Sequence, residues 1–162
     1  DPTRRRSRHR LSPRPPMGSI FTRIIRRELP ADVVYEDEHT LAFLDLYPKA
    51  EGHTLVVPKR EVAAFHDLAP EEAAQLARAL RLVARAVTRA MSTPHYTLVL
   101  NNGTAAGQVV FHVHFHIIPR REGVGARTIL SLPAERQAQI AAAIRAALAP
   151  GQAAPMPGGR TP

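Results

Sequence analysis

The chain has 162 residues, enough for one domain with a hydrophobic core and too few for two comfortable ones. Hydrophobic residues make up 44% and charged residues 22%, and no apolar run approaches the roughly 18 residues of a membrane-spanning helix. Cysteine is absent, which removes disulfides, thiolate metal sites and thiol nucleophiles and suits a soluble, cytoplasmic protein.

The net charge of +8 is unevenly spread: residues 1–16, "DPTRRRSRHRLSPRPP", carry six arginines and one aspartate, a net of +5 that leaves +3 for the rest. A segment so rich in Arg, Pro and Ser cannot bury enough surface to order itself. It is expected to be a disordered basic extension, with a folded domain over residues 17–149 starting at Met17; an arm for an anionic surface is the competing reading. No apolar h-region follows the arginines, so the segment does not read as a secretory signal. Neither a specific nucleic-acid partner nor a membrane is expected.

Along the domain, "DVVYEDEHTLAFLDLYP" offers two β-prone runs, Val33 to Tyr35 and Thr40 to Leu46, split by a polar group, which is a hairpin pattern. "GHTLVVPKR" predicts a third strand that Pro58 ends. Pro70 with Glu71 and Glu72 reads as a helix first turn, since proline needs no N–H partner there and acids suit the positive end of the dipole. Leu76, Leu80, Val83 and Val87 then follow at helical spacing. "HYTLVLNNG" predicts a fourth strand, "VVFHVHFHIIP" a fifth, and "PAERQAQIAAAIRAALAP" a last helix stopped by Pro150-Gly151. Residues 150–162 read as a disordered tail. Strands, helix, strands, helix argue an α+β domain on a mainly antiparallel sheet.

The fifth run holds His112, His114 and His116 at alternate positions. On a strand these share one face while Phe111, Val113, Phe115 and Ile117 take the other. Three readings compete. One is a solvated face that happens to carry histidines. A second is a Zn²⁺ or Cu²⁺ site, for which imidazole is a good ligand although a single strand rarely wraps a tetrahedral ion alone. The third is phosphate chemistry, in which one neutral imidazole attacks phosphorus and its neighbours hold the oxygens. "NNGTAAG", residues 101–107, favours the third, because a loop of small residues lets backbone N–H groups approach an anion.

"GQVVFHVHFHIIPR" resembles the signature of the histidine triad (HIT) superfamily, His-φ-His-φ-His-φ-φ with φ apolar. "SIFTRIIRRELPADVVYEDEHTLAFLDLYPKAEGHTLVVPKR" is similar to the N-terminal half of the same fold, so the likeness covers about residues 18–120. The resemblance points to Hint-type purine nucleoside phosphoramidases and implies a HIT-like α+β fold: a five-stranded sheet, one long central helix and a C-terminal helix.

The implied activity is hydrolysis or transfer at the α-phosphate of a purine nucleotide conjugate, with no cofactor or metal. Nucleoside phosphoramidates or adenylylated compounds rank ahead of dinucleoside polyphosphates as substrates. A nucleotide-binding signalling or interaction module with incidental catalysis, and a metalloprotein using His53, His112, His114 and His116, are the rivals.

By the same resemblance His114 is the nucleophile, His112 and His116 hold phosphate oxygens, and His53 supports them from the neighbouring strand. Asn101, Gly107 and Gln108 complete the phosphate cradle. Asp45 accepts both ribose hydroxyls, and Ile20, Phe21, Ile24, Leu29, Phe43 and Leu46 form the slot for the base. A homodimer is also implied.

Three departures stand out. Ser19 and Thr22 occupy positions where many relatives have Cys-x-x-Cys and bind zinc, so that site is expected to be absent. The third triad position is histidine, not the glutamine of the nucleotidyltransferase branch. Val109 stands where phosphoramidases of the family often carry serine and has no hydroxyl to protonate a leaving group. Arg120, Arg121 and Arg127 follow the triad with no assigned role.

Overall fold

The computed structural model describes residues 18–125 and 128–148. The expectations for residues 1–16, for Met17, for Arg127 and for the tail from 150 lie outside them.

Within the described residues the elements run α1 (Ile20–Ile25), β1 (Val33–Glu36), β2 (Thr40–Leu44), β3 (Thr54–Pro58), α2 (Pro70–Ala90), β4 (Tyr96–Val99), β5 (Phe115–Pro119) and α3 (Ala134–Ala147). The strands form one sheet in the order β1-β2-β3-β5-β4, and every neighbouring pair is antiparallel. This is the expected α+β architecture with its long central helix and C-terminal helix. The short helix α1 is an addition; Ser19 caps it, its Oγ accepting the Thr22 N–H at 3.1 Å.

Both faces of the central strands are buried, which is why they read as continuous apolar runs. On one face Ala42, Leu44, Val56 and Ile117 pack with Leu76, Val83 and Val87 of α2 and Ile140 and Ile144 of α3. On the other, Leu41, Phe43, Leu55 and Val57 pack with Phe21 and Ile24 of α1. The apolar stripe Leu76, Leu80, Val83 and Val87 is thus spent inside this chain. The outer edge strand β4 leaves Tyr96 and Leu98 exposed.

The fifth strand is shorter than its apolar run suggests. Phe115 pairs with Val56, and two residues further along β3 stands Pro58, which has no N–H to give and ends the ladder. Residues 109–114 therefore leave the sheet, and Val113 donates its N–H to Val62 O at 2.7 Å. The expectation that all three histidines project from one regular strand is corrected on this point, because only His116 lies in β5.

Candidate active site

A cavity of about 320 Å³ opens on the α1 face of the sheet. Ile20, Phe21 and Ile24 come to it from α1, Phe43 from β2 and Leu46 from the turn after β2, with Asp45 beside them. Asn101 and Gly107 close it from the small-residue loop, and His114 and His116 form its floor. Leu46 and Ile20 are exposed at its rim. Gly107 sits at φ +92°, a left-handed conformation that side chains disfavour.

Hydrogen bonds assign the tautomers. His114 Nδ1 lies 2.7 Å from the His112 carbonyl oxygen, so it carries the proton and donates, leaving the Nε2 lone pair bare. The Lys49 backbone N–H donates to His53 Nδ1 at 3.0 Å, which puts the His53 proton on Nε2. That proton faces His116 Nδ1 at 2.9 Å and Asp45 Oδ2 at 3.4 Å. His116 Nδ1 is then an acceptor, and its remaining Nε2–H is a donor for the cavity. Burial, His114 and Lys49 outweigh Asp45 and hold His116 down to about 4. Burial, His116, Lys49 and Arg120 likewise outweigh Asp45 and hold His53 down to about 4. Both rings are neutral at pH 7, as this chain of donors requires.

His112 stands elsewhere. It is fully buried and absent from the cavity lining, and both its nitrogens are engaged. Nε2–H donates to Pro58 O at 2.7 Å and Nδ1 accepts from the Ser19 hydroxyl at 2.7 Å, with Thr22 Oγ1 at 3.4 Å. Glu61 completes the cluster, accepting from Thr22 Oγ1 at 2.8 Å and from the Ser19 backbone N–H, bonds that hold its carboxyl below the usual range. Of the two residues at the cysteine positions, Ser19 thus binds His112 through its hydroxyl, while Thr22 gives its one hydroxyl proton to Glu61. The expected contact of His112 with phosphate oxygens does not fit, since neither nitrogen is left to make it. Its backbone carbonyl instead orients His114.

Two further expectations are corrected. Gln108 is buried with its amide spent inside the loop: Oε1 accepts from Gly103 N at 2.7 Å, and Nε2 donates to Ala63 O at 2.8 Å and Val110 O at 3.1 Å. It braces the cradle and does not line it. Leu29 packs, partly buried, against the cluster that includes Phe21, Ile24 and Phe43 and does not line the cavity.

Asp45, His53 and His116 bring potential ligand atoms within 4.8 Å of one another. An ion on His53 Nε2 would force the proton onto Nδ1, against the Lys49 N–H that already points there. The donor set suits the hydrogen-bonded relay better than a metal.

The cavity also holds residues that patterning did not single out. Ile118 follows His116 by two positions and so shares its face, a signal that alternation carried. Lys49, Tyr47 and Val99 reach it only through the fold. Gln137 of α3 donates to Asp45 O at 3.0 Å, tying the candidate ribose acid to a helix 92 residues away in the chain.

A family model described as "HIT domain" matches residues 26–123. An adenylylsulfatase of Arabidopsis thaliana is 40% identical over 103 residues, 64% of this chain and 52% of that protein. An adenosine 5'-monophosphoramidase of Schizosaccharomyces pombe is 42% identical over 104 residues, 64% of this chain and 75% of that one. The crystal structure of a Hit-like protein involved in cell-cycle regulation from Bartonella henselae matches with a TM-score of 0.75 and 40% identity, over 81% of this chain and 97% of that chain.

Proposed function

Because this chain belongs to the HIT-domain family, we propose that it is a hydrolase of purine nucleotide conjugates that works at the α-phosphorus through a covalent intermediate on His114. The names of the Arabidopsis and fission-yeast relatives, an adenylylsulfatase and an adenosine monophosphoramidase, support this class of substrate. The observation that carries the covalent route is the bare Nε2 of His114 in a cavity of nucleotide size, with its other nitrogen held by a carbonyl.

In this reading the base enters between Ile20, Phe21, Ile24, Phe43 and Leu46, and the Asp45 carboxylate accepts the two ribose O–H donors. His116 Nε2–H, the Asn101 amide and the Gly107 backbone face the phosphoryl oxygens, where fixed donors stabilise growing negative charge in the transition state. His114 Nε2 bonds to phosphorus while the bond to the leaving group breaks, its electron pair staying on the departing atom; an anhydride oxygen leaves as the anion, and a phosphoramidate nitrogen takes up a proton from solvent water as it leaves. Water then attacks phosphorus, the P–N bond breaks, and the lone pair returns to Nε2 as the water's proton is released.

Brief mixing of the protein with an adenosine phosphoramidate, quench in alkaline denaturant, which preserves the P–N bond, and peptide mass spectrometry should find one adenylyl group on His114. The His114→Ala protein should show no adduct and a loss of turnover of at least about 10³-fold, as removal of a nucleophile produces. Full turnover by that variant would refute the reading.

We also propose a homodimer formed through the β4 edge. An edge strand presents unpaired backbone groups, and here it carries the exposed Tyr96 and Leu98 beside a hollow lined by Leu80, Ala84 and Thr88 of α2. Sedimentation of wild type against Leu98→Lys should show a dimer giving way to a monomer.

A further inference from the structure

A second cavity, of about 210 Å³, adjoins the first, and Lys49 lines both. Its walls carry Lys49, Glu51, Arg120 and Arg121. None of the three cations has a salt-bridge partner among the described residues. The one carboxylate, Glu51, is taken by Arg136 through two hydrogen bonds of 2.9 Å. Arg120 is anchored by one bond, Nε to Thr97 Oγ1 at 3.1 Å, and Arg121 by one, Nη2 to the Met91 carbonyl. Each keeps further N–H donors of the five a guanidinium carries. Three like charges around one hollow, without salt bridges among the described residues and with only Arg121 felt by Glu51, repel one another, and an anion relieves that repulsion.

The cleft is coupled to the reaction site. His116, Ile118 and Arg120 alternate along and just past β5 and so share a face, with about 13 Å between the first and last Cα. Lys49 disfavours protonation of both His53 and His116, and Arg120 that of His53, so the cations are felt where the phosphate would sit. Val109, on the wall of the nucleotide cavity and 83% exposed, has no proton to give a departing amine.

We propose that Lys49, Arg120 and Arg121 form an anion subsite for the leaving group, so that the preferred substrates are mixed anhydrides whose second half carries negative charge one or two phosphoryl lengths beyond the α-phosphorus. This rests on the His114 reading above. As His114 Nε2 bonds to phosphorus, the P–O bond to the second half breaks and its electron pair stays on that oxygen. The leaving group departs as an oxyanion with no proton transferred to it, and the cations lower the energy of the charge it gains.

The test uses full-length protein carrying His114→Asn, with AMP and ATP as probes, because the outer phosphoryls of ATP stand where such a leaving group would. Calorimetry should find ATP bound about tenfold more tightly than AMP, the order expected of one or two charge-assisted contacts. Adding Arg120→Gln and Arg121→Gln should abolish that preference and leave AMP affinity unchanged. An unchanged ATP-to-AMP ratio, or equal losses for both nucleotides, would overturn the proposal. Without those substitutions the preference should also collapse in about 1 M salt, where the Debye length is about 3 Å, and in excess inorganic phosphate. Persistence under both conditions would equally overturn it. The binding ratio does not depend on turnover, so a missing adduct on wild-type His114 would sink the covalent route separately from the subsite.

Discussion

His112 and His116 stand two residues either side of His114 and occupy opposite kinds of environment. Around His112, every polar atom is satisfied within the protein: Pro58 takes one proton, Ser19 supplies another, and Glu61 and Thr22 close the cluster. Around His116 the described residues satisfy one nitrogen, through His53, and leave the other for the cavity. The same side chain is a strut in the first case and a donor awaiting a ligand in the second. Burial lowers the pKa of both, so the number of unfilled hydrogen-bond positions, not the pKa, separates their roles.

Removing each ring should expose the difference. His116→Ala is expected to cost about 10²-fold in kcat, the scale of one lost donor to a developing oxyanion, with little change in melting temperature. His112→Ala strands the buried Pro58 carbonyl and the Ser19 hydroxyl. It should destabilise by about 1–3 kcal/mol in urea titration and lower kcat by a smaller factor, about tenfold, through loosening of His114. Equal kcat losses with equal stability in the two variants would erase the distinction.

Acid titration sharpens it from the side of His53. A folded-state pKa of about 4 lies below the ordinary 6.5, so between these values the unfolded chain binds a proton that the folded one does not. The stability from keeping this ring neutral is complete above about pH 6.5 and is lost as pH falls toward 4. The slope is at most about 1.4 kcal/mol per pH unit. Urea unfolding across that window should flatten in His53→Ala. An identical pH slope in the variant would show that other groups carry it.

The smallest effect is expected at Glu61, which makes no hydrogen bond to His112, standing 4.0 Å from its Nδ1 and bonding its neighbours Ser19 and Thr22. Glu61→Gln keeps an acceptor and should change kcat no more than about threefold, within the roughly 1 kcal/mol of a single part-exposed hydrogen bond. A loss comparable to His112→Ala would make Glu61 a principal member of the cluster.

Much of the fold was legible beforehand because local rules act within a few residues. Pro70 with its acids opened α2, Pro58 closed β3, and the double-sided apolar runs marked the central strands. Where the rules reached across the fold they failed. The period-two histidine pattern suggested three equivalent side chains, yet the missing N–H of Pro58, over fifty residues earlier in the chain, ends the ladder before His112. Gln108 carried no local sign that Ala63 would occupy its amide, and the amphipathic stripe of α2 could not say whether its partner was this chain or another.

Residue types and spacing by themselves determined which chemistry was available: imidazoles in alternation, a carboxylate after β2, a loop of small residues, no thiol. Those are properties of side chains and of backbone periodicity, and they survive any folding detail. Tertiary structure alone decided which imidazole is spent inside the protein: Pro58 and Ser19, distant in the chain, occupy both nitrogens of His112, whereas His114 is held only by the carbonyl two residues before it and keeps its Nε2 lone pair bare. It likewise brought Lys49 beside Arg120 and Arg121, gathering charges that in the sequence look like ordinary solvated surface.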